Sequence, residues 1–279
     1  MVAEAVELRT RRYPGRNLEI AVDEAGPRDG PPVILLHGGG QTRGAWGGAV
    51  RQGARRGFRM MSADLRGHGE SGWADDGDYS IAASMADLSE MIEEVGQPPF
   101  IVGASLGGLI GLSYAGGGGR VRGLVLVDVA PQIEQDGAAR IGAFMRSAPD
   151  GFASVDDAAE AVAAYLPHRP RPMDTSGLMK NLRLRDDGRY HWHWDPKMLD
   201  GRGPRDAQSL RQAARMLTVP TLLIRGRLSD VVSPEGARDF LALAPHAEFV
   251  DIAGADHMVA GDRNDAFNEA VFEFLQRQL

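Results

Sequence analysis

The motif G-x-S-x-G occupies residues 103–107 and places Ser105 between two glycines. It directly follows an apolar run that favours a buried strand, and it begins a helix predicted over residues 106–115. A nucleophilic serine needs a sharp, strained strand-to-helix turn, which holds its hydroxyl clear of the backbone. We therefore predict that Ser105 is a nucleophile. The alternative is an ordinary glycine-rich turn with a capping serine.

A neutral serine is a weak nucleophile, so it requires a histidine that a carboxylate orients. Of the seven histidines, His257 follows the apolar run 249–252, and Asp230 follows a strand predicted at residues 221–225. Both fall at the carboxyl ends of strands, where open parallel sheets bind ligands. The chain order Ser105, Asp230, His257 agrees with a triad in which His257 is the base and Asp230 the acid.

A His-Gly-Gly-Gly segment begins at His37, directly after another predicted strand. Because glycine leaves the backbone unobstructed, we expect the N–H groups of Gly39 and Gly40, with that of Leu106, to form an oxyanion hole. A phosphate-binding loop is the alternative, but no Gly-Lys-Ser/Thr follows the glycines. We expect His37 to orient this loop and not to act as a base.

Alternating short apolar runs and amphipathic stretches would position these residues on one sheet. The alternation predicts a mostly parallel sheet with helices on both faces. Strands are predicted at residues 33–36, 58–64, 100–103, 124–128 and 221–225, and helices at 81–95, 106–115, 234–243 and 265–279.

Residues 131–215 interrupt the alternation and have no evident strand. Residues 158–166 and 208–217 are helix-like, so we predict a helical insertion here. The insertion has 13 basic and 12 acidic residues, whereas the rest of the chain has 18 and 26. This difference hints that the insertion tolerates anionic ligands.

Composition excludes several classes of protein. The 279 residues are 43% hydrophobic and 25% charged, as in a folded globular protein, and the net charge of −7 argues against nucleic-acid binding. The absence of cysteine excludes disulfides, a thiol nucleophile and cysteine-held metals. No apolar run has the length of a membrane span, and the N-terminus lacks a signal-peptide core. We expect a cytoplasmic protein without metal or other cofactor.

Together the motifs resemble the α/β-hydrolase superfamily over nearly the whole chain. Residues 64–71, DLRGHGES, are similar to a loop of that family, in which Arg66 and His68 would tie the loop down. The resemblance implies an α/β-hydrolase fold with an eight-stranded sheet. Its core would comprise residues 1–130 and 216–279, and residues 131–215 would form a helical cap.

The resemblance also assigns roles to residues. It implies that Ser105 is the nucleophile, Asp230 the acid and His257 the base. Asp128 matches the position that supplies the acid in some members instead. A serine at position 105 argues against the members with an aspartate nucleophile, the epoxide hydrolases and haloalkane dehalogenases.

Large side chains near these loops and in the insertion are candidate pocket walls, with core packing as the alternative for each. They are Trp46, Phe144, Met145, Trp192, Trp194, Val232 and Met258. His191 and His193 alternate with two of these tryptophans. Because no third ligand is signalled, we expect packing there and no metal site.

The expected function is a serine hydrolase, an esterase that cleaves a small or medium carboxylic ester through an acyl-enzyme. Alternatives on the same triad are a cofactor-free perhydrolase or haloperoxidase, a C–C bond hydrolase of ring-cleavage products, a lactonase and an amidase. An alternative of another class is a ligand sensor with slow turnover. The amphipathic helices are compatible with a homo-oligomer as well as with internal packing.

Overall fold

A computed structural model describes residues 6–167, 175–200, 206–257 and 264–279. Its strands are β1 (Arg9–Gly15), β2 (Leu18–Ala25), β3 (Pro32–Leu36), β4 (Arg59–Ala63), β5 (Phe100–Ala104), β6 (Gly123–Val127), β7 (Leu182–Leu184), β8 (Tyr190–Trp192), β9 (Thr221–Gly226) and β10 (Glu248–Ile252). Eight of them form one sheet in the order β1-β2-β4-β3-β5-β6-β9-β10. The hairpin β1–β2 is antiparallel and β2 pairs antiparallel with β4, whereas the strands from β4 to β10 in this order are parallel.

Helices cover both faces of this sheet, as predicted. Strand β3 is buried throughout and directs Ile34 and Leu36 to one face, and Val33 and Leu35 to the other. On the first face lie α2 (Ile81–Val95), α3 (Leu106–Gly116), α6 (Ala207–Arg215) and α7 (Pro234–Leu243), and on the second lie α1 (Gly47–Arg55) and α8 (Asn264–Arg277). Such burial on both faces is why the central strands are nearly continuous apolar runs.

The segment between β6 and β9 also contains α4 (Gln135–Met145) and α5 (Val155–Tyr165). The expectation that this segment has no strand is wrong, because β7 and β8 form an antiparallel hairpin. Its Leu182 and Trp192 are cross-strand partners, and both are buried with Trp194 in a separate hydrophobic cluster. The division into a core and a cap at residues 131–215 stays a prediction. In the described part of the chain, no helix has the length and apolar character needed to cross a membrane.

Candidate active site

Ser105 occupies the sharp turn between β5 and α3. Its backbone angles, φ 46° and ψ −113°, lie in a region that residues other than glycine rarely adopt. Holding serine there costs about 1–3 kcal/mol of conformational energy. Two backbone hydrogen bonds hold the turn: the Ser105 N–H donates to Val127 O at 3.2 Å, and the Gly107 N–H donates to His37 O at 3.1 Å. The turn therefore connects β5, β6 and the start of the glycine loop.

Glycines flank Ser105 because there is no space for a Cβ. A Cβ on Gly107 would lie 2.3 Å from Leu36 O, and one on Gly103 would lie 2.5 Å from Gly107 O. Both neighbours are backbone atoms, which cannot rotate away as a side chain would. The motif's small residues are thus required by close packing of β3, β5 and α3.

Gly107→Ala is expected to lower the free energy of unfolding by about 3 kcal/mol, because the clash with β3 forces the backbone to move. Urea denaturation followed by circular dichroism measures this. Gly177→Ala is the matched control, since no atom lies within 4 Å of a Cβ at Gly177. Equal stability of the two variants would contradict the packing argument.

The glycine loop leaves one of its three N–H groups available. The Gly38 N–H donates to Gln41 Oε1 at 3.0 Å, and the Gly40 N–H donates to His68 Nε2 at 3.1 Å. Within the described residues, the N–H groups of Gly39 and Leu106 have no hydrogen-bond acceptor. Gly40 is therefore a correction to the predicted oxyanion hole, because its N–H is already bound.

His257 is oriented by Asp128. The His257 Nδ1–H donates to Asp128 Oδ2 at 2.7 Å, and Asp128 is fully buried. The same carboxylate accepts the Gly226 N–H at 3.1 Å and the Ser229 hydroxyl. These bonds give the buried carboxylate oxygens the hydrogen-bond partners that water would provide at the surface, and they fix the orientation of the imidazole.

Asp230, the predicted acid, does not contact His257 in the structure. Its carboxylate pairs instead with Arg140 of α4 and is about one-third exposed, at 34%. In the turn after β9 the Ser229 side chain points towards Asp128, and the side chain of the next residue, Asp230, points outward to Arg140. The carboxylate that contacts His257 is that of Asp128, which directly follows β6, and it also accepts a hydrogen bond from the Ser229 hydroxyl. Ser229 belongs to no motif that would identify it from the sequence.

Three buried histidines, His37, His68 and His193, fasten the glycine loop to its neighbours. In each ring one nitrogen accepts a backbone N–H and the other lies against a backbone carbonyl, an arrangement that requires a neutral ring. His193 connects the insertion to the loop: its Nδ1 accepts the Gly69 N–H at 2.8 Å, and its Nε2 donates to Gly40 O at 3.3 Å.

The His193 ring should make the protein sensitive to acid. Burial, with a smaller contribution from His37, lowers the pKa of His193 from 6.5 to about 4. The unfolded chain therefore binds this proton first, so stability is complete above pH 6.5 and falls as the pH drops towards 4, by up to about 3 kcal/mol. Urea midpoints of the wild type between pH 7 and 4 measure the loss.

In His193→Asn the side-chain oxygen can still accept the Gly69 N–H, but the asparagine side chain does not titrate. The stability of this variant should therefore fall less steeply with falling pH than that of wild type. His246→Asn, at an exposed histidine, is the control and should follow the wild type. If the urea midpoint of His193→Asn fell as steeply with falling pH as that of wild type, the prediction would be contradicted.

Ser105 and His257 line one cavity of about 360 Å³. Its walls combine the glycine loop with side chains from the insertion: Gly38, Gly39, Gly40, Gln41, Thr42, Ala45, Ala104, Ile141, Phe144, Val162, Tyr165, Leu166, Leu178, Lys180, Asn181, Trp192 and Trp194. Two aromatic pairs stack in this wall. The ring centroids of Phe144 and Tyr165 are 4.3 Å apart, and those of Trp192 and Trp194 are 5.0 Å apart.

The predicted pocket walls divide into three groups. Phe144, Trp192 and Trp194 line the cavity. Trp46, Met145 and Val232 do not line it: Trp46 packs on Phe267, Met145 is buried behind Gly40, and Val232 is core. Met258 lies outside the described residues.

Another histidine of the insertion, His191, is bound to Asp187, with Nε2 and Oδ2 2.8 Å apart. Its ring has this partner of its own, whereas the ring of His193 contacts Gly69 and Gly40. Among the described residues, no group of three His, Asp or Glu side chains could hold a metal ion.

Comparisons with known proteins identify the family of this chain. The model of the "Alpha/beta hydrolase family" matches residues 33–270. Esterase Rv0045c of Mycobacterium tuberculosis is 31% identical over 253 residues, which cover 86% of this chain and 81% of the relative. The 3-hydroxybutyrate-oligomer hydrolase of Cupriavidus necator is 25% identical over 216 residues, covering 72% and 73%.

Solved structures give the same result. A structure of the M. tuberculosis esterase Rv0045c has a TM-score of 0.80 at 27% identity, covering 98% of this chain and 93% of the other. That of E-2-(acetamidomethylene)succinate hydrolase has a TM-score of 0.84 at 22% identity, covering 97% and 100%, and shows the shared fold. With a family model matched along most of its length, this chain belongs to the α/β-hydrolase family.

Proposed function

We propose that this protein is a serine hydrolase that cleaves small or medium carboxylic esters through an acyl-enzyme. The observation that carries the proposal is that Ser105, on its strained turn, lines the same cavity as His257, whose ring is held by the buried Asp128. The sequence similarity to an esterase and to an ester-oligomer hydrolase supports it.

The hydrogen bonds determine how the proton would move. Because the His257 Nδ1–H donates to Asp128, Nε2 of the neutral ring carries the lone pair that takes the Ser105 proton. Asp128 then stabilises the imidazolium. The N–H groups of Leu106 and Gly39 bind the oxyanion, aided by the positive end of α3.

Collapse of the tetrahedral intermediate expels the alcohol, which takes the proton from His257 and leaves Ser105 acylated. A water molecule that gives its proton to His257 attacks the acyl group. The second collapse releases the acid and restores the Ser105 hydroxyl. These steps use only side chains and backbone groups of this chain.

The cavity wall suggests the substrate class. Aromatic and aliphatic side chains of the insertion, among them Phe144 and Trp192, face the space next to Ser105. We propose that the insertion is a cap that covers an apolar acyl or alcohol group. A cavity of about 360 Å³ suits a small or medium molecule better than a polymer chain.

Hydrolysis of p-nitrophenyl esters from acetate to octanoate tests the proposal. We expect turnover with an optimum at one chain length, and a pre-steady-state burst of one nitrophenolate per protein where deacylation is slower than acylation. A folded protein without turnover on any ester in this series would contradict the proposed function.

A further inference from the structure

Lys180 gives the cavity a positive charge, and the described part of the cavity wall holds no matching negative charge. It lies in a short 3₁₀ helix, Ser176–Asn181, that leads into β7. Among the described residues that line the cavity there is no aspartate and no glutamate. A substrate that enters this cavity therefore meets an ammonium group and, apart from it, mostly apolar walls.

No acidic side chain neutralises Lys180 in the described part of the chain, where no carboxylate oxygen lies within 4.0 Å of its ammonium. Lys180 is exposed, whereas the buried cations Arg66 and Arg225 are paired with Asp87 at 2.6 Å and with Asp251 at 3.0 Å. Lys180 thus keeps its charge available for a ligand.

The position of Lys180 is at the rim, close to the segment that follows the glycine loop. Its Cδ lies 4.0 Å from the place where a Cβ of Gly44 would be. Gln41, Thr42 and Ala45 of the same segment line the cavity. The lysine side chain therefore lies between the insertion and the loop side of the cavity. Asn181, the next residue, adds a polar amide to the cavity wall.

We infer that Lys180, assisted by Asn181, binds a carboxylate on the substrate, so that the preferred substrates are esters that carry a second, free carboxylate group. The inference rests on the proposed function, whose substrate class it narrows. A single ammonium with no second cation in the described wall matches a monoanion such as carboxylate better than a doubly charged phosphate. The apolar wall would hold the carbon chain between the ester and the carboxylate.

Monomethyl and dimethyl adipate form the test pair, because they share a chain length and differ by one charge. We expect wild type to have a higher kcat/KM for monomethyl adipate than for dimethyl adipate. The ratio of the first value to the second measures this preference. Lys180→Met should lower this ratio about three- to tenfold, and Lys180→Arg should retain part of it. Raising the salt concentration should weaken the preference of wild type but not that of Lys180→Met.

Lys197→Met is the matched control, because Lys197 is the other lysine of the chain, is exposed and does not line the cavity. Its ratio should equal that of wild type. An unchanged ratio in Lys180→Met, or an equal fall in Lys197→Met, would overturn the inference while leaving ester hydrolysis intact.

Failure of hydrolysis itself is a separate outcome. If wild type cleaves neither adipate ester and none of the p-nitrophenyl esters, the proposed function fails, and binding decides the inference instead. In Ser105→Ala, quenching of tryptophan fluorescence measures binding, since Trp192 and Trp194 line the cavity. Monomethyl adipate should bind more tightly than dimethyl adipate, and adding Lys180→Met should remove the difference. Equal binding of both esters overturns the inference.

Discussion

Replacing Asp128 with asparagine is expected to lower kcat for p-nitrophenyl ester hydrolysis by about 10⁴-fold while the protein stays folded. The asparagine oxygen can still accept the Gly226 N–H, but its amide group has no negative charge to stabilise an imidazolium. If the NH₂ group faces His257, it donates to Nδ1 and moves the ring proton to Nε2. The nitrogen that should accept the Ser105 proton is then blocked. Steady-state kinetics and circular dichroism measure the effect.

Asp230→Asn makes the same chemical change at the other candidate acid and is the control. Asp230 is partly exposed and pairs with Arg140, and exposed ion pairs contribute little to stability. We expect kcat within about threefold of wild type, since the charge is screened from the site by solvent. The opposite result, a large loss in Asp230→Asn and a small one in Asp128→Asn, would show that the acid was assigned to the wrong residue.

Ser105→Ala is expected to reduce kcat by about 10⁶-fold, because it removes the atom that becomes acylated. The substitution should not disturb the turn, since alanine faces the same backbone strain at φ 46° as serine and adds no atoms. Mass spectrometry after addition of a slowly deacylated ester should show one acyl group on wild type and none on Ser105→Ala.

Ser113→Ala, at a partly buried serine on α3, is the matched control and should retain both turnover and acylation. If Ser105→Ala still forms an acyl-enzyme, another residue is the nucleophile and the proposed mechanism is wrong.

Local patterns were enough to predict the parts of the fold that are determined by neighbours in sequence. A buried parallel strand must be a short apolar run, and β3, β5 and β6 each coincide with one. The turn at Ser105 was predictable because part of its packing is local: a Cβ on Gly103 would lie 2.5 Å from Gly107 O, only four residues along the chain. The hairpin β7–β8 was not predictable from the sequence, because its three-residue strands are too short to show the alternation of apolar and polar residues that indicates a strand.

The choice between the two acids depended on tertiary structure. The chain order of serine, aspartate and histidine is the same with Asp128 as with Asp230, and both follow parallel strands, so order and strand position cannot separate them. The turn after β9 decides it, by placing Ser229 against the Asp128 carboxylate and directing Asp230 to Arg140. That direction results from packing between α4 and the loop, which involves residues about ninety positions apart.

The sequence by itself determined a mostly parallel sheet, the sharp turn at Ser105 and the serine and histidine candidates, because each depends on residue types within a few positions. Only the tertiary structure decided which acid holds His257, which glycine N–H remains available and which side chains line the cavity. Those properties depend on where distant segments meet, and hydrogen-bond partners and cavity walls exist only once the segments have packed.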